Sequence, residues 1–371
     1  NGLSFTPRQR ITSFREISRL KASNENPKLL ADLQKEFTYS GIDTCAATGL
    51  CAERCPVGIN TGDLIRDLRH DNNQGYQGVA NMLSNNFATV EKITRGSLAI
   101  AGFSHRVLGS TVMAGLTGTI RKLSANKIPL WSKYLPQKAT YHPKKMASYS
   151  LPLRPKVVYI PSCASRSMGQ SITDQRSLTE VTFSLIKKAG FDVISPDLTG
   201  ECCGMPFNSK GMFTQANQKS SALLTKLRDL SDDGKYPILI DTSPCKAMLL
   251  ENKEKVLGLS LFEPVGFIED VLINYLNFTP INEPVMLHVT CTSQKMGLAD
   301  KMQQLAERCS TQVIKPEHIQ CCGFAGDKGF TTPELNKNAL APLKAQVPKN
   351  CKTGYSNSRT CEIGLSHHAG I

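Results

Sequence analysis

Two adjacent cysteines followed by glycine occur twice in this chain, as Glu201-Cys202-Cys203-Gly204 and Gln320-Cys321-Cys322-Gly323. Their surroundings repeat with them. Cys163, Ser165, Met168 and Gly169 answer to Cys291, Ser293, Met296 and Gly297. Val193-Ile194-Ser195-Pro196 answers to Val313-Ile314-Lys315-Pro316, Lys210-Gly211 to Lys328-Gly329, and Pro244-Cys245 to Thr360-Cys361. The period, 116 to 128 residues, is too long for a solenoid and describes two copies of one module.

The residues between the cysteines set the fold class. Val157-Val158-Tyr159-Ile160 is a compact, largely β-branched run and reads as a buried strand. Leu178, Val181, Leu185 and Ile186 mark a following helix, which Gly190 closes. Phe191 to Ile194 is a second strand, Leu223, Leu224 and Leu227 lie on a second helix, and Pro237 to Asp241 is a third strand. Val285 to Val289 opens the second copy. Short buried strands alternating with helices predict mainly parallel sheets. The expected architecture is an α-helical, ferredoxin-like N-terminal domain over 1–135, a proline-rich linker over 136–155, and α/β modules over 156–280 and 281–371.

Each copy offers four thiols from three loops: Cys163, Cys202, Cys203 and Cys245, then Cys291, Cys321, Cys322 and Cys361. They follow strands, where α/β sheets place ligand sites. Neighbouring residues on a strand point to opposite faces, so aiming both members of a Cys-Cys pair at one centre needs an irregular turn. The following glycine permits that turn. Helix starts after Cys163 and Cys291 are expected to lower the thiol pKa. An iron–sulfur cluster is the leading occupant. Structural zinc and metal-free thiol redox chemistry remain open on the residues alone, although neither copy has the C-x2-C knuckle that zinc favours. Cys309 is expected in a core, Cys351 in a loop, and His367 and His368 at the surface.

The N-terminal part opens on Thr6-Pro7, a helix cap followed by a first-turn proline, and a second helix is expected from Pro27 to about Phe37. Cys45, Cys51 and Cys55, with Pro56 behind them, fit the ferredoxin run C-x2-C-x2-C-x3-C-P except at Thr48, which stands in the second position. These three are candidate ligands for a [4Fe–4S] cluster whose missing thiols would lie upstream. Asn60-Thr61-Gly62-Asp63 then starts a helix. Met82, Leu83, Phe87 and Val90 form an apolar stripe. Leu98 to Ile120 contains His105 and Arg106 and reads as a packed helical hairpin, with Gly96, Ala99, Gly102, Gly109, Gly115 and Gly118 allowing close contact. A membrane-surface contact is the alternative for this stretch. His105 is read as structural or exposed, not as a ligand.

Thirteen cysteines, an odd number, with no secretory signal, argue against a disulfide framework. The net charge of +13 suits acidic partners or an anionic membrane surface. With one tryptophan, Trp131, and little aromatic interleaving, nucleic acid is not an expected partner. The chain begins at Asn1 without Met and ends soon after its last cysteine motif, so functional parts are expected outside it.

The duplicated Cys…Cys-Cys-Gly…Cys pattern resembles the cysteine-rich CCG domain of the glycolate oxidase iron–sulfur subunit and of heterodisulfide reductase. The full order is closer still to one group. Thr6-Pro7-Arg8-Gln9-Arg10, then Cys45 to Gly62, then two modules ending Ser358 to Ser366, resembles the C-terminal half of the FAD-linked, iron–sulfur D-lactate dehydrogenases of bacterial respiration. That resemblance covers nearly the whole chain. It implies a FAD domain on the same polypeptide, upstream of Asn1, and a quinone or cytochrome acceptor. It also implies a cytoplasmic location, peripheral on the inner face of the inner membrane. No flavin-binding glycine-rich loop is recognisable here, so the chain alone is not expected to oxidise lactate. The alternative implied by the resemblance is thiol–disulfide chemistry of the heterodisulfide reductase kind. Thr242 and Ser358 stand where the fifth cysteine of that pattern would be, and this counts against it.

Overall fold

The computed structural model describes residues 4–124, 129, 131–140, 154–170 and 176–371. Its N-terminal part is helical. Thr6 caps the helix Pro7–Ser23 through a capping box with Gln9, and Asn26 caps Pro27–Glu36. Ile17, Phe37, Ile42, Cys45 and Ile65 then form a small core shared with the helix Thr61–Asn72.

Two parallel sheets follow. In the first, β1 (Lys156–Ile160), β2 (Asp192–Ile194), β3 (Ile238–Ile240) and β4 (Leu261–Phe262) lie in the order β2-β1-β3-β4. The alternation of β1 fills both sides of this sheet. Val158 and Ile160 join Ile238 and Ile240 in a core with Leu223, Leu224 and Leu227 of the helix Phe213–Leu230. Val157 and Tyr159 face the other way, toward Ile186, Phe191 and Phe267. The double cysteine Cys202-Cys203 belongs to the first of these two cores.

The second sheet has the order β6-β5-β7, with β5 at Ile281–His288, β6 at Ser310–Ile314 and β7 at Thr353–Ser356. Its order repeats the β2-β1-β3 part of the first. After β7 the chain continues as the helix Arg359–Ala369, which carries Cys361 in its first turn.

One long helical element, Phe87–Leu123, joins the two modules. Phe87 enters the core of the first. At the other end Arg121 donates to the carbonyls of Phe330 (3.1 Å) and Thr331 (2.6 Å) in the second. Gly109 breaks the element into two arms, with φ 75° and ψ 170°, a conformation open essentially to glycine.

Three expectations fail here. The arms are not packed through their glycines: a Cβ added at Gly96, Gly102, Gly115 or Gly118 would meet nothing within 4 Å. Met82 and Leu83 are exposed, because Ala80, Ser84 and Phe87 form the inward face instead. Cys309 is exposed at the last turn of the helix Ala299–Cys309, which buries Met302. The proposed linker begins in packed structure, with Ala139 buried and Lys138 paired antiparallel with Met168. Residues 141–153 of that linker lie outside the described residues.

Candidate metal centre

In each module the first and last cysteines leave adjacent strand ends. β1 and β3 are parallel neighbours. Their continuations are the helices Cys163–Ser167 and Ser243–Leu250, which carry Cys163 and Cys245. β5 and β7 do the same for Cys291 and Cys361. The double-cysteine loop supplies the other two thiols.

The thiols meet. Cys203 Sγ lies 3.1 Å from Cys245 Sγ, and Cys322 Sγ lies 3.0 Å from Cys361 Sγ. Cys163 is hydrogen-bonded to Cys202, and Cys291 to Cys321. These are sulfur contacts between free thiols, well beyond the roughly 2 Å of a disulfide. The four thiols of each module thus form a row, and the two rows match. Among the described residues no set of three or more His, Cys, Asp or Glu side chains closes into a single-ion cage.

Glycine performs the expected turn. Gly204 has φ 92° and Gly323 φ 69°, and each N–H points at the first sulfur of its pair, Cys202 or Cys321, at 3.4 Å. A Cβ on Gly204 would stand 2.4 Å from the carbonyl oxygen of Ala216. Gly204→Ala is therefore expected to cost about 1–3 kcal/mol, because both backbone conformation and a backbone oxygen oppose it. A urea melt of the variant beside the parent reads this directly.

The expected lowering of the thiol pKa does not occur at Cys163 or Cys291. Hydrogen bonding to Cys202 and burial raise Cys163 well above the usual thiol range. Cys291 is raised in the same way by Cys321 and burial. At Cys321 the bond from Cys291 pulls downward, but the bond to Cys322 and burial win and push it up to about 11. The helices starting at these cysteines have only five residues each, and desolvation outweighs their dipoles. Ligation by these thiols therefore displaces protons.

Beside the first row, Arg166 and Glu91 form a buried ion pair. Arg166 also donates to the carbonyls of Pro161 (2.8 Å) and Glu201 (2.5 Å), and Glu91 accepts from the N–H of Gly200 at 3.0 Å. The pair thus ties the long helix to both loops of the site.

A latch that the sequence reading missed stands four residues before the last cysteine of each copy. Asp241, buried at the end of β3, accepts from the Ser162 N–H at 2.9 Å and from the Ser165 side chain. At the matching place Asn357 donates to Ser293 Oγ at 2.6 Å. Each latch fixes the turn carrying the first cysteine. The equal offset was its one signal in the sequence.

His288, also missed, takes the place of Ile160 in the second copy. It is buried, its Nδ1 faces Ser356 Oγ at 3.2 Å, and its Nε2 has no hydrogen-bond partner among the described residues. Burial holds its pKa down at about 4, against an ordinary 6.5. The unfolded chain therefore binds the extra proton between these values. Stability from this group is complete above pH 6.5 and is lost as pH falls toward 4, by at most about 3 kcal/mol. His288→Gln is expected to flatten that part of the pH dependence in urea melts run near neutrality and in mild acid.

The N-terminal cysteines each have partners of their own. Cys45 is buried, its Sγ accepting from the Ala47 N–H at 3.4 Å. Cys51 Sγ lies 3.3 Å from Thr61 Oγ1. Cys55 has its pKa lowered by the N–H groups of Ile59, Val57 and Gly58. Thr48, in the position of the absent cysteine, accepts from the Leu50 N–H. Cys351 is buried in the core that holds Cys322 and Cys361, with its Sγ 3.4 Å from the Thr353 carbonyl. His367 is exposed beside Tyr134 and His368 is half-buried.

The three cysteine regions are neighbours in a row. The helix Ser243–Leu250 packs on Cys291–Lys295, which packs on Leu50–Glu53. Ser243 Oγ and Thr290 Oγ1 lie 3.5 Å apart at the first of these junctions. At the second, the Lys295 ammonium sits over Gly49, 2.8 Å from where a Cβ would be.

Residues 157–250 and 285–363 match the family model of the cysteine-rich domain called CCG. Both modules are thus similar to that domain. The match supports iron–sulfur binding and a general oxidoreductase role. No curated protein matches the chain. The donor sets of the two modules fit that chemistry: four soft sulfurs in each, with apolar walls such as Ile160 and Leu249 around a cavity that touches all four thiols of the first.

Proposed function

We propose that this chain is the iron–sulfur relay of a FAD-linked oxidoreductase that oxidises D-lactate or a related 2-hydroxy acid. The acceptor would be a quinone or a cytochrome. One observation carries the reading: Cys51, Cys291 and Cys245 stand on three helices that are consecutive neighbours, with a four-thiol set at each of the last two. Iron–sulfur clusters would supply one-electron steps between a two-electron donor and the acceptor.

The chain's own residues have separable tasks. Cys163, Cys202, Cys203 and Cys245 would hold one cluster, and Cys291, Cys321, Cys322 and Cys361 the other. Cys45, Cys51 and Cys55 would contribute to a ferredoxin-type site completed by thiols outside the chain. Arg166 places a positive charge beside the first thiol set. The N–H groups of Gly204 and Gly323 reach sulfur, a contact that tunes cluster potential. Thr242 and Ser358, at the caps of the helices carrying Cys245 and Cys361, give neither module a fifth thiol, which favours electron relay over disulfide chemistry.

The test is transfer. The protein, reconstituted anaerobically with iron and sulfide and reduced photochemically, should be reoxidised by a soluble quinone. Fused to its flavin domain, it should become reduced on addition of D-lactate. Reduction of a disulfide substrate without quinone reactivity would reject the relay.

A further inference from the structure

The two arms of the Phe87–Leu123 element carry an apolar stripe that no described residue covers. On the first arm it runs through Ile93, Ile100, Phe103 and Val107, and on the second through Val112, Leu116, Ile120 and Leu123. Steps of seven, three and four residues put each set on one helix face. Ile100 is 70% exposed, Phe103 67% and Leu123 84%. The opposite sides hold the element to the protein through Phe87, Glu91, Met113 and Arg121. Trp131 braces both arms, its backbone N–H donating to Thr117 Oγ1 at 3.0 Å and its ring centred 5.0 Å from that of His105.

Charge identifies the occupant. The element's one acidic residue, Glu91, is buried and paired with Arg166. The other charged residues, Lys92, Arg95, Arg106, Arg121 and Lys122, are all basic. Lys92, Arg106 and Lys122 are exposed. An apolar helix face flanked by basic residues suits the interface of an anionic bilayer, with aliphatic side chains among the acyl chains and cations at the headgroups. No helix among the described residues is long and apolar enough to cross a membrane, so the element would lie along the surface.

We infer that the face formed by Ile93, Ile100, Phe103, Val107, Leu116 and Ile120 docks this protein on an anionic lipid surface. The inference stands apart from the relay reading, because binding to lipid needs no cluster. Its test is cosedimentation with vesicles of neutral phosphatidylcholine and of phosphatidylcholine mixed with phosphatidylglycerol, using the full chain. Binding should be at least about tenfold stronger to the anionic vesicles and should weaken with salt. Phe103→Asp and Leu116→Asp should each reduce it by about tenfold or more. These positions are exposed, and unchanged circular dichroism and melting midpoint would certify the fold. Lack of vesicle binding at low salt would overturn the inference, as would binding that both variants retain. A dimer by light scattering that the variants dissolve, without lipid binding, would assign the face to a second copy and overturn it too.

Discussion

Cys203→Ser is expected to remove the iron of the first module and leave that of the second. Cys203 is buried in contact with Cys245 and follows Cys202 directly, so it holds the middle of its row. Serine keeps the shape and substitutes a hard oxygen for a soft sulfur. The modules rest on separate sheets, so the other site should keep its metal. Iron and acid-labile sulfide bound by the two modules should fall by about half. Cys322→Ser, which breaks the contact with Cys361, should have the mirror effect, and the double variant should leave both modules empty. Loss of all module iron from either single substitution would mean one shared centre.

The largest effect on stability is expected from Glu91→Ala. Both partners of the Glu91–Arg166 pair are buried, so truncating the acid strands a guanidinium in the interior. Breaking such a pair costs about 3–5 kcal/mol. The loss also frees the N–H of Gly200, two residues before the double cysteine, so the melt and the iron content of the first module should fall together. Replacing both partners by apolar residues, as in Glu91→Leu with Arg166→Met, should recover much of the stability. A double variant no more stable than the single would show that the hydrogen bonds of Arg166 to Pro161 and Glu201, not the buried charge, dominate.

The sequence carried the duplicated modules more completely than it carried their sites. β1, β2 and β3 were legible because Val157 to Ile160, Val193-Ile194 and Ile238 to Ile240 are apolar runs, as sheets covered on both faces require. β7 was not, because Thr353-Gly354-Tyr355-Ser356 is short, polar and partly exposed. β4 has only two residues. The cysteine pattern named the eight module thiols, but not the packing that raises Cys163 and Cys291. That effect depends on burial and neighbouring sulfurs, which periodicity does not encode. Glycine spacing suggested close packing at 96–118, whereas the structure leaves open space there and turns the apolar stripe outward. Small residues permit a contact and do not supply the partner. The Asp241 and Asn357 latches were hidden because their chemistries differ, a carboxylate in one copy and an amide in the other.

Anaerobic reconstitution with iron and sulfide, followed by metal analysis and EPR of the reduced protein, tests the central claim most directly. The two four-thiol rows predict iron and acid-labile sulfide in equal amounts. They also predict visible absorption that bleaches on reduction, and an EPR signal lost when all eight module cysteines are changed to serine. Zinc bound in place of iron, or no cluster signal while the eight thiols are free, would contradict it.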